Sequence, residues 1–80
     1  MTLELSFAKV LKSFRVTKKL SQEELAFRSD LDRTYISMLE RGIYQPTLTT
    51  IFALSKALNI APSEMIKLVE NEYGEFDNKE

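Results

Sequence analysis

One stretch, residues 21–42, constrains the fold more than any other part of the chain. It opens with an S-x-x-E pattern, Ser21 followed by Glu24, which is the capping box typical of a helix N-terminus. A helix should therefore begin at Gln22. A second helix should follow, with Asp32 as its N-cap and Gly42 just beyond its C-terminal end. The stretch thus predicts two short helices joined by a tight turn.

The second of these helices, expected over about residues 33–41, has two chemically different sides. Ile36 and Leu39 share one face through their i, i+3 spacing. At 100° per residue the opposite side carries Thr34, Ser37, Met38 and Arg41. Two short helices with a turn of this length form a helix-turn-helix, in which the second helix enters the major groove of DNA.

Three segments carry a family resemblance: residues 22–26 (QEELA), 35–37 (YIS) and 39–42 (LERG). They resemble the helix-turn-helix domain of Cro/C1-type (XRE-like) regulators, and the resemblance extends over residues 7–69. Within that family, residues 31–37 (LDRTYIS) are similar to the controller proteins of restriction–modification systems. The resemblance implies an all-α, compact five-helix bundle of the lambda-repressor-like class. It also implies a transcriptional regulator that binds double-stranded DNA and controls restriction–modification genes.

Hydrophobic spacing outside this stretch predicts three further helices. The first should run from residue 6 to 18, after a frayed arm at residues 1–5. Thr47 should cap a fourth helix with a buried stripe at Leu48, Ile51, Leu54 and Leu58, and Asn59 should close it. Pro62 should open a fifth helix at its first position. We expect one domain, residues 1–80, with its core at residues 6–70 and an acidic tail at 71–80, disordered beyond Phe76.

Three features depart from the family pattern. Asp30 stands in a turn where relatives often carry Gly, but Asp tolerates left-handed backbone, so the turn should survive. Ala61 precedes Pro62 where Ser or Thr is common, which leaves the fifth helix without a side-chain cap. Residues 43–46 carry no charge, so phosphate contacts should be fewer and the salt dependence of DNA binding shallow.

Composition excludes several classes of function. The chain has no cysteine and no histidine, which rules out disulfides, thiolate catalysis, Cys/His zinc sites and Ser-His triads. With no nucleophile–base set, an enzyme is the poorest fit, and no cofactor or metal is expected. There is no apolar run of membrane-spanning length and no basic-plus-apolar leader, so no membrane association and a cytoplasmic location are expected.

The charge is unevenly distributed along the chain. The net charge is −1, but residues 1–41 carry eight Lys/Arg against six Asp/Glu, whereas residues 42–80 carry three against six. The half that contains the helix-turn-helix is therefore the basic half. This distribution is compatible with specific DNA binding and predicts weak non-specific affinity.

Candidate DNA contacts divide into base-reading and phosphate-binding residues. Arg33 can make a bidentate bond to guanine, and the base-reading set is Arg33, Thr34, Ser37 and Met38. Free N–H groups at the start of the first short helix favour an anion, and the phosphate set is Ser21, Gln22, Tyr35, Arg41 and Gln45. Alternatives stay open: Arg33 pairing with Asp32, Ser21 acting only as a cap, and Met38 or Tyr35 packing against the protein.

The family resemblance also implies a structural ion pair between Arg15 and Glu40, which removes both residues from the DNA-contact set. One recognition helix reads too few base pairs to locate a site in a genome, so a homodimer on a palindromic operator is expected. The interface residues we expect are Ile43, Tyr44, Phe52, Ile66, Val69 and Tyr73. The alternative is that some of them fill the core of the monomer.

A second class of function remains open at this stage. An antitoxin-like or adaptor protein could use the same fold as a protein-interaction module without DNA. The acidic total charge and the uncharged loop favour that alternative, whereas Arg33, Thr34 and Gln22 favour DNA. RNA polymerase is a further candidate partner, through Glu23 or Glu24.

Overall fold

A computed structural model describes residues 1–74, and over that range it contains five α-helices and no strand. They are α1 (Leu3–Thr17), α2 (Gln22–Ser29), α3 (Arg33–Glu40), α4 (Leu48–Ala57) and α5 (Pro62–Tyr73). The all-α, five-helix prediction is confirmed. α1 packs against α3 and α5, and α2 packs against α3 and α4. The prediction of disorder beyond Phe76 lies outside the described residues.

Apolar residues at helical spacing fill a core to which all five helices contribute. Its fully buried apolar members are Leu11, Leu25, Ile36, Leu39, Leu54, Leu58 and Met65. Such burial contributes about 25 cal/mol per Å² of apolar surface removed from water. Because Ile36 and Leu39 anchor α3 in this core, the opposite side of α3 faces outward, as predicted. No helix within residues 1–74 is both long enough and apolar enough to cross a membrane.

Two of the expected burial assignments are corrected by the structure. Val69, expected at a dimer interface, is only 6% exposed and belongs to the core. Val69 follows Met65 by four residues, so both lie on the buried face of α5. Leu48, expected in the buried stripe of α4, is 69% exposed, because its i, i+4 spacing places it on the same outer face of the helix as Phe52, which is 56% exposed.

The first helix begins earlier than predicted, and the prediction of a frayed arm at residues 1–5 is wrong. Thr2 is the N-cap of α1, and its hydroxyl oxygen accepts a hydrogen bond from the Leu5 N–H at 3.1 Å. Tertiary contacts also hold this turn. The Gln45 amide donates to the Glu4 carboxylate at 3.0 Å, which lowers the pKa of Glu4, and Leu5 lies against Gly42.

Three helices end at a residue with left-handed backbone that is not glycine. Lys19, Asp30 and Asn59 follow or close α1, α2 and α4, with φ of 61°, 58° and 59°. At each, the N–H of the next residue reaches back to a carbonyl of the last turn, as in Leu31 N–H to Ala26 O at 2.9 Å. These are Schellman-type ends. The predicted roles of Asp30 and Asn59 are confirmed.

The N-caps differ in how far the sequence prediction holds. The capping box of Ser21 and Glu24 is present in full. Thr47 caps α4 through the Thr50 N–H, and α5 begins at Pro62 with no side-chain cap from Ala61, both as predicted. Asp32 occupies the N-cap position of α3, but its side chain makes no capping hydrogen bond.

Candidate nucleic-acid interface

The outward side of α3 presents the base-reading candidates. Arg33 and Thr34 are exposed at the head of the helix, and Ser37 and Met38 are half-buried one turn later. Arg41 is exposed at the C-cap. Because side chains spaced by three or four residues share a face, α3 carries one polar strip directed away from the core. Arg, Thr and Ser side chains are of the kinds that can hydrogen-bond to base edges in the major groove.

The start of α2 forms the phosphate-binding candidate. The Glu24 N–H donates to the Ser21 hydroxyl oxygen at 3.0 Å, and the Ser21 N–H donates to the Glu24 carboxylate at 2.8 Å. The bond from the Ser21 N–H, together with a hydrogen bond from the Ser21 side chain, lowers the pKa of Glu24. A serine hydroxyl that accepts a bond can still donate its own proton. Ser21 can therefore cap α2 and donate to a phosphate when its proton turns away from the Glu24 carboxylate, beside the first-turn N–H groups that have no intrahelical partner.

Arg15 and Glu40 form the ion pair that the resemblance implied. Arg15 Nε and Nη2 donate to the two carboxylate oxygens at 2.6 and 3.0 Å, a bidentate pair whose side chains are 12% and 3% exposed. Hydrogen bonding to Glu40 raises the pKa of Arg15 against the opposing effect of burial. Arg15 Nη1 also donates to the Leu20 carbonyl at 2.8 Å. The pair therefore ties the end of α3 to α1 and to the α1–α2 connection.

Gln22 has a contact that sequence reasoning missed. Its amide Nε2 donates to Glu40 Oε1 at 3.1 Å, so this phosphate candidate is joined to the ion pair. The two residues lie 18 apart in the chain and on different helices, and no local pattern signals their contact. The second N–H of the Gln22 amide is not required by this bond and can serve a phosphate.

The remaining two phosphate candidates contact other parts of the protein. Tyr35 is half-buried against the core, and its hydroxyl lies 3.4 Å from the Thr50 hydroxyl. Gln45 is exposed, and its amide donates to Glu4. Tyr35 therefore contributes to packing between α3 and α4, whereas the second N–H of the exposed Gln45 amide is not required by the bond to Glu4.

A second surface, formed by α4 and α5, is apolar. Leu48, Phe52 and Ile66 are 69%, 56% and 42% exposed and line a common groove; we call them the α4–α5 patch. Leu48 was absent from the predicted interface, although its i, i+4 spacing to Phe52 was a usable signal. Ile43 and Tyr44, in the loop after α3, are half exposed, and Tyr73 is half-buried.

Comparison with known proteins places this geometry in a family. Residues 11–65 match the family model described as helix-turn-helix. Control protein C.BamHI of Bacillus amyloliquefaciens is 42% identical over 65 residues, which cover 80% of each chain. The crystal structure of the restriction–modification controller protein C.AhdI from Aeromonas hydrophila superposes with a TM-score of 0.75 at 44% identity, covering 78% of this chain and 94% of the other.

A third relative was crystallised with DNA. The controller protein C.Esp1396I, as a tetramer in complex with its natural 35 base-pair operator, superposes with a TM-score of 0.82 at 32% identity, covering 90% of this chain and 95% of the other. The resemblance predicted from residues 22–42 is thereby confirmed: the chain belongs to the helix-turn-helix family, with restriction–modification controller proteins among its relatives.

Proposed function

We propose that this protein is a sequence-specific transcriptional regulator that binds a palindromic operator as a homodimer and controls restriction–modification genes. The observation that carries the proposal is the polar strip of α3, with Arg33 and Thr34 exposed at its head while Ile36 fixes the helix in the core. The relative C.Esp1396I binds its operator with the same fold. A regulator of this kind works where the chromosome lies, so we propose a cytoplasmic location.

In the proposed complex, α3 lies in the major groove and the start of α2 grips the backbone. Arg33 donates two hydrogen bonds to a guanine edge, and Thr34, Ser37 and Met38 contact neighbouring bases. Ser21 and Gln22 bind one phosphate at the positive end of the α2 dipole. Arg41 binds a second phosphate near the other end of α3. Since residues 43–46 carry no Lys or Arg, charged phosphate contacts are few and the dependence of affinity on salt is shallow.

The test is a gel-shift titration against the DNA upstream of the protein's own gene. Arg33→Ala should weaken binding to the operator by about 1–3 kcal/mol, roughly fivefold to 150-fold, and weaken binding to unrelated DNA much less. Arg28→Ala is the matched control, because Arg28 is an exposed arginine in the last turn of α2, away from its N-terminus. It should leave both affinities unchanged.

Two results would contradict the proposal. An equal loss on operator and unrelated DNA would mean that Arg33 binds phosphate and reads no base. A wild-type protein that shifts no upstream DNA at low salt would favour the antitoxin-like or adaptor function, in which the fold binds another protein.

We propose that the α4–α5 patch forms the dimer interface, together with Ile43 and Tyr44 of the loop after α3. Phe52→Asp places a charge on this apolar surface, and we expect a folded monomer with weaker operator affinity. Phe27→Asp is the control, since Phe27 is 87% exposed on α2, a helix outside the patch. Sedimentation velocity measures both variants, with circular dichroism to check folding. A Phe52→Asp variant that remains dimeric would exclude the patch as the interface.

The first turn of α2 carries two carboxylates that could contact RNA polymerase. Glu23 and Glu24 are both exposed in the first turn of α2, but Glu24 is engaged in the capping box. Glu23 is therefore the carboxylate that we propose for such a contact.

A further inference from the structure

The Glu40 carboxylate accepts hydrogen bonds from two side chains at the end of α3. Oε2 accepts from Arg15 Nε, and Oε1 accepts from both Arg15 Nη2 and Gln22 Nε2. The Glu40 side chain is 3% exposed, so it offers almost no surface to DNA. A buried carboxylate needs such donors, because burial of an unpaired charge is costly.

This arrangement determines which way the Gln22 amide faces. An ionised carboxylate only accepts hydrogen bonds, so the NH₂ end of the amide must point at Glu40 and the carbonyl end must point elsewhere. With one N–H on Oε1, the direction of the second N–H is set by the planar amide group. Gln22 is also the first residue of α2, so this donor stands beside the N–H groups of the helix N-terminus.

The backbone just before α2 is held by Arg15, which is the second partner of Glu40. Arg15 Nη1 donates to the carbonyl of Leu20, the residue immediately before the N-cap Ser21. The end of α3 is therefore connected through one carboxylate to the side chain and, through Arg15, to the backbone at the start of α2. The base-reading helix and the proposed phosphate site are held in a fixed relation.

We infer that Glu40 is a positioning residue for DNA binding: it orients the Gln22 amide as a preset phosphate donor without itself touching DNA. The inference rests on the proposed function. Ordering Gln22 in advance removes an entropic cost that would otherwise be met when DNA binds. Loss of the preset Gln22 contact should lower operator affinity by roughly threefold to tenfold. This is the scale expected for ordering one side chain and forming one hydrogen bond.

Phosphate ethylation interference on the operator tests this with wild type, Gln22→Ala and Glu40→Gln. Glu40→Gln replaces one carboxylate oxygen by an NH₂ group. We expect the remaining oxygen to keep the short bond from Arg15 Nε at 2.6 Å, so the NH₂ group takes the Oε1 position and Gln22 loses its acceptor. We expect Gln22→Ala and Glu40→Gln each to reduce interference at the same phosphate in each half-site, where Ser21 and the N–H groups of the α2 N-terminus still bind. Interference at the phosphate assigned to Arg41 should persist, and the double variant should lose nothing further at the Gln22 phosphate.

The outcomes separate this inference from the proposed function. If Glu40→Gln weakens interference at all phosphates alike, Glu40 has a merely structural role and the inference is overturned. Undiminished interference at that phosphate in either single variant also overturns the inference, while operator binding by the wild type leaves the regulator function standing. A wild-type protein with no operator footprint refutes the proposed function itself.

A measurement on the free wild-type protein covers the case in which Glu40→Gln does not fold. The chain has two glutamines, Gln22 and Gln45, so their side-chain amides are easily assigned by NMR. The Gln22 amide, half-buried on Glu40, should be nearly as ordered as rigid backbone, with an order parameter of about 0.8. Gln45, bonded to Glu4 at the surface, is the internal comparison and should be more mobile. Equal mobility of the two amides would contradict the preset orientation.

Discussion

Replacement of Gly42 by alanine tests the contact between the first turn of α1 and the end of α3. Gly42 has a φ of +73°, and a Cβ built on it would lie 2.5 Å from Leu5 Cδ2 and 3.1 Å from Leu5 Cγ. Carbon atoms in contact are ordinarily about 3.5–4.0 Å apart. The added methyl group therefore meets two separate obstacles: a left-handed backbone and the Leu5 side chain.

The expected cost follows from these two obstacles. A residue with a Cβ in the left-handed region costs about 1–2 kcal/mol relative to glycine. Displacing Leu5 costs about 1 kcal/mol more, near the lower end for overpacking, because Leu5 is 47% exposed and can move toward solvent. We therefore expect Gly42→Ala to lower the free energy of unfolding by about 2–3 kcal/mol, or the melting temperature by roughly 10–20 °C.

Urea denaturation followed by circular dichroism measures the cost, at one protein concentration because dimerisation would shift apparent stability. Leu5→Ala removes the obstructing carbons, so in that background Gly42→Ala should cost only the backbone part, about 1–2 kcal/mol. Gly74→Ala is the matched control: its φ is +77°, but the nearest atom to an added Cβ is 4.0 Å away. The same cost for Gly42→Ala with and without Leu5 would refute the packing argument.

Two further changes concern the helix starts. Ala61→Ser should raise the free energy of unfolding by about 1 kcal/mol, because it supplies the missing side-chain cap of α5; no change in the urea midpoint would show that α5 needs no cap. Glu24→Gln should reduce the loss of stability in acid. The pKa of Glu24 is lowered in the folded state, so its contribution is present above about pH 4.5 and is lost as the pH falls through the folded value. Identical acid melting curves for wild type and Glu24→Gln would contradict this assignment.

Local signals predicted most of the fold because they depend on neighbouring residues only. The capping box at Ser21, Thr47 before α4 and Pro62 at the start of α5 each act within one helical turn, and each was located correctly. The two faces of α3 followed from the spacing of Ile36 and Leu39 alone. These features require no knowledge of what packs against them.

The errors arose where distant residues decide the outcome. The start of α1 was placed too late because Leu3 and Leu5 add no buried periodicity; their turn is held by Gln45 and Gly42, about 40 residues away. The available local signal was Thr2 as a cap with Glu4 in the first turn. Val69 was misassigned because periodicity defines a face of α5 but not whether the chain itself covers that face.

The turns at Lys19, Asp30 and Asn59 are less stable than they could be, because each of these residues has left-handed backbone. Each holds a conformation that glycine would adopt at about 1 kcal/mol less, an amount that matters against a typical total of about 5–15 kcal/mol. None of the three belongs to the polar strip of α3 or to the α4–α5 patch. Single substitutions at these turns can therefore change how much folded regulator a cell maintains, and hence when the operator fills, without altering intrinsic affinity for DNA or for a second subunit.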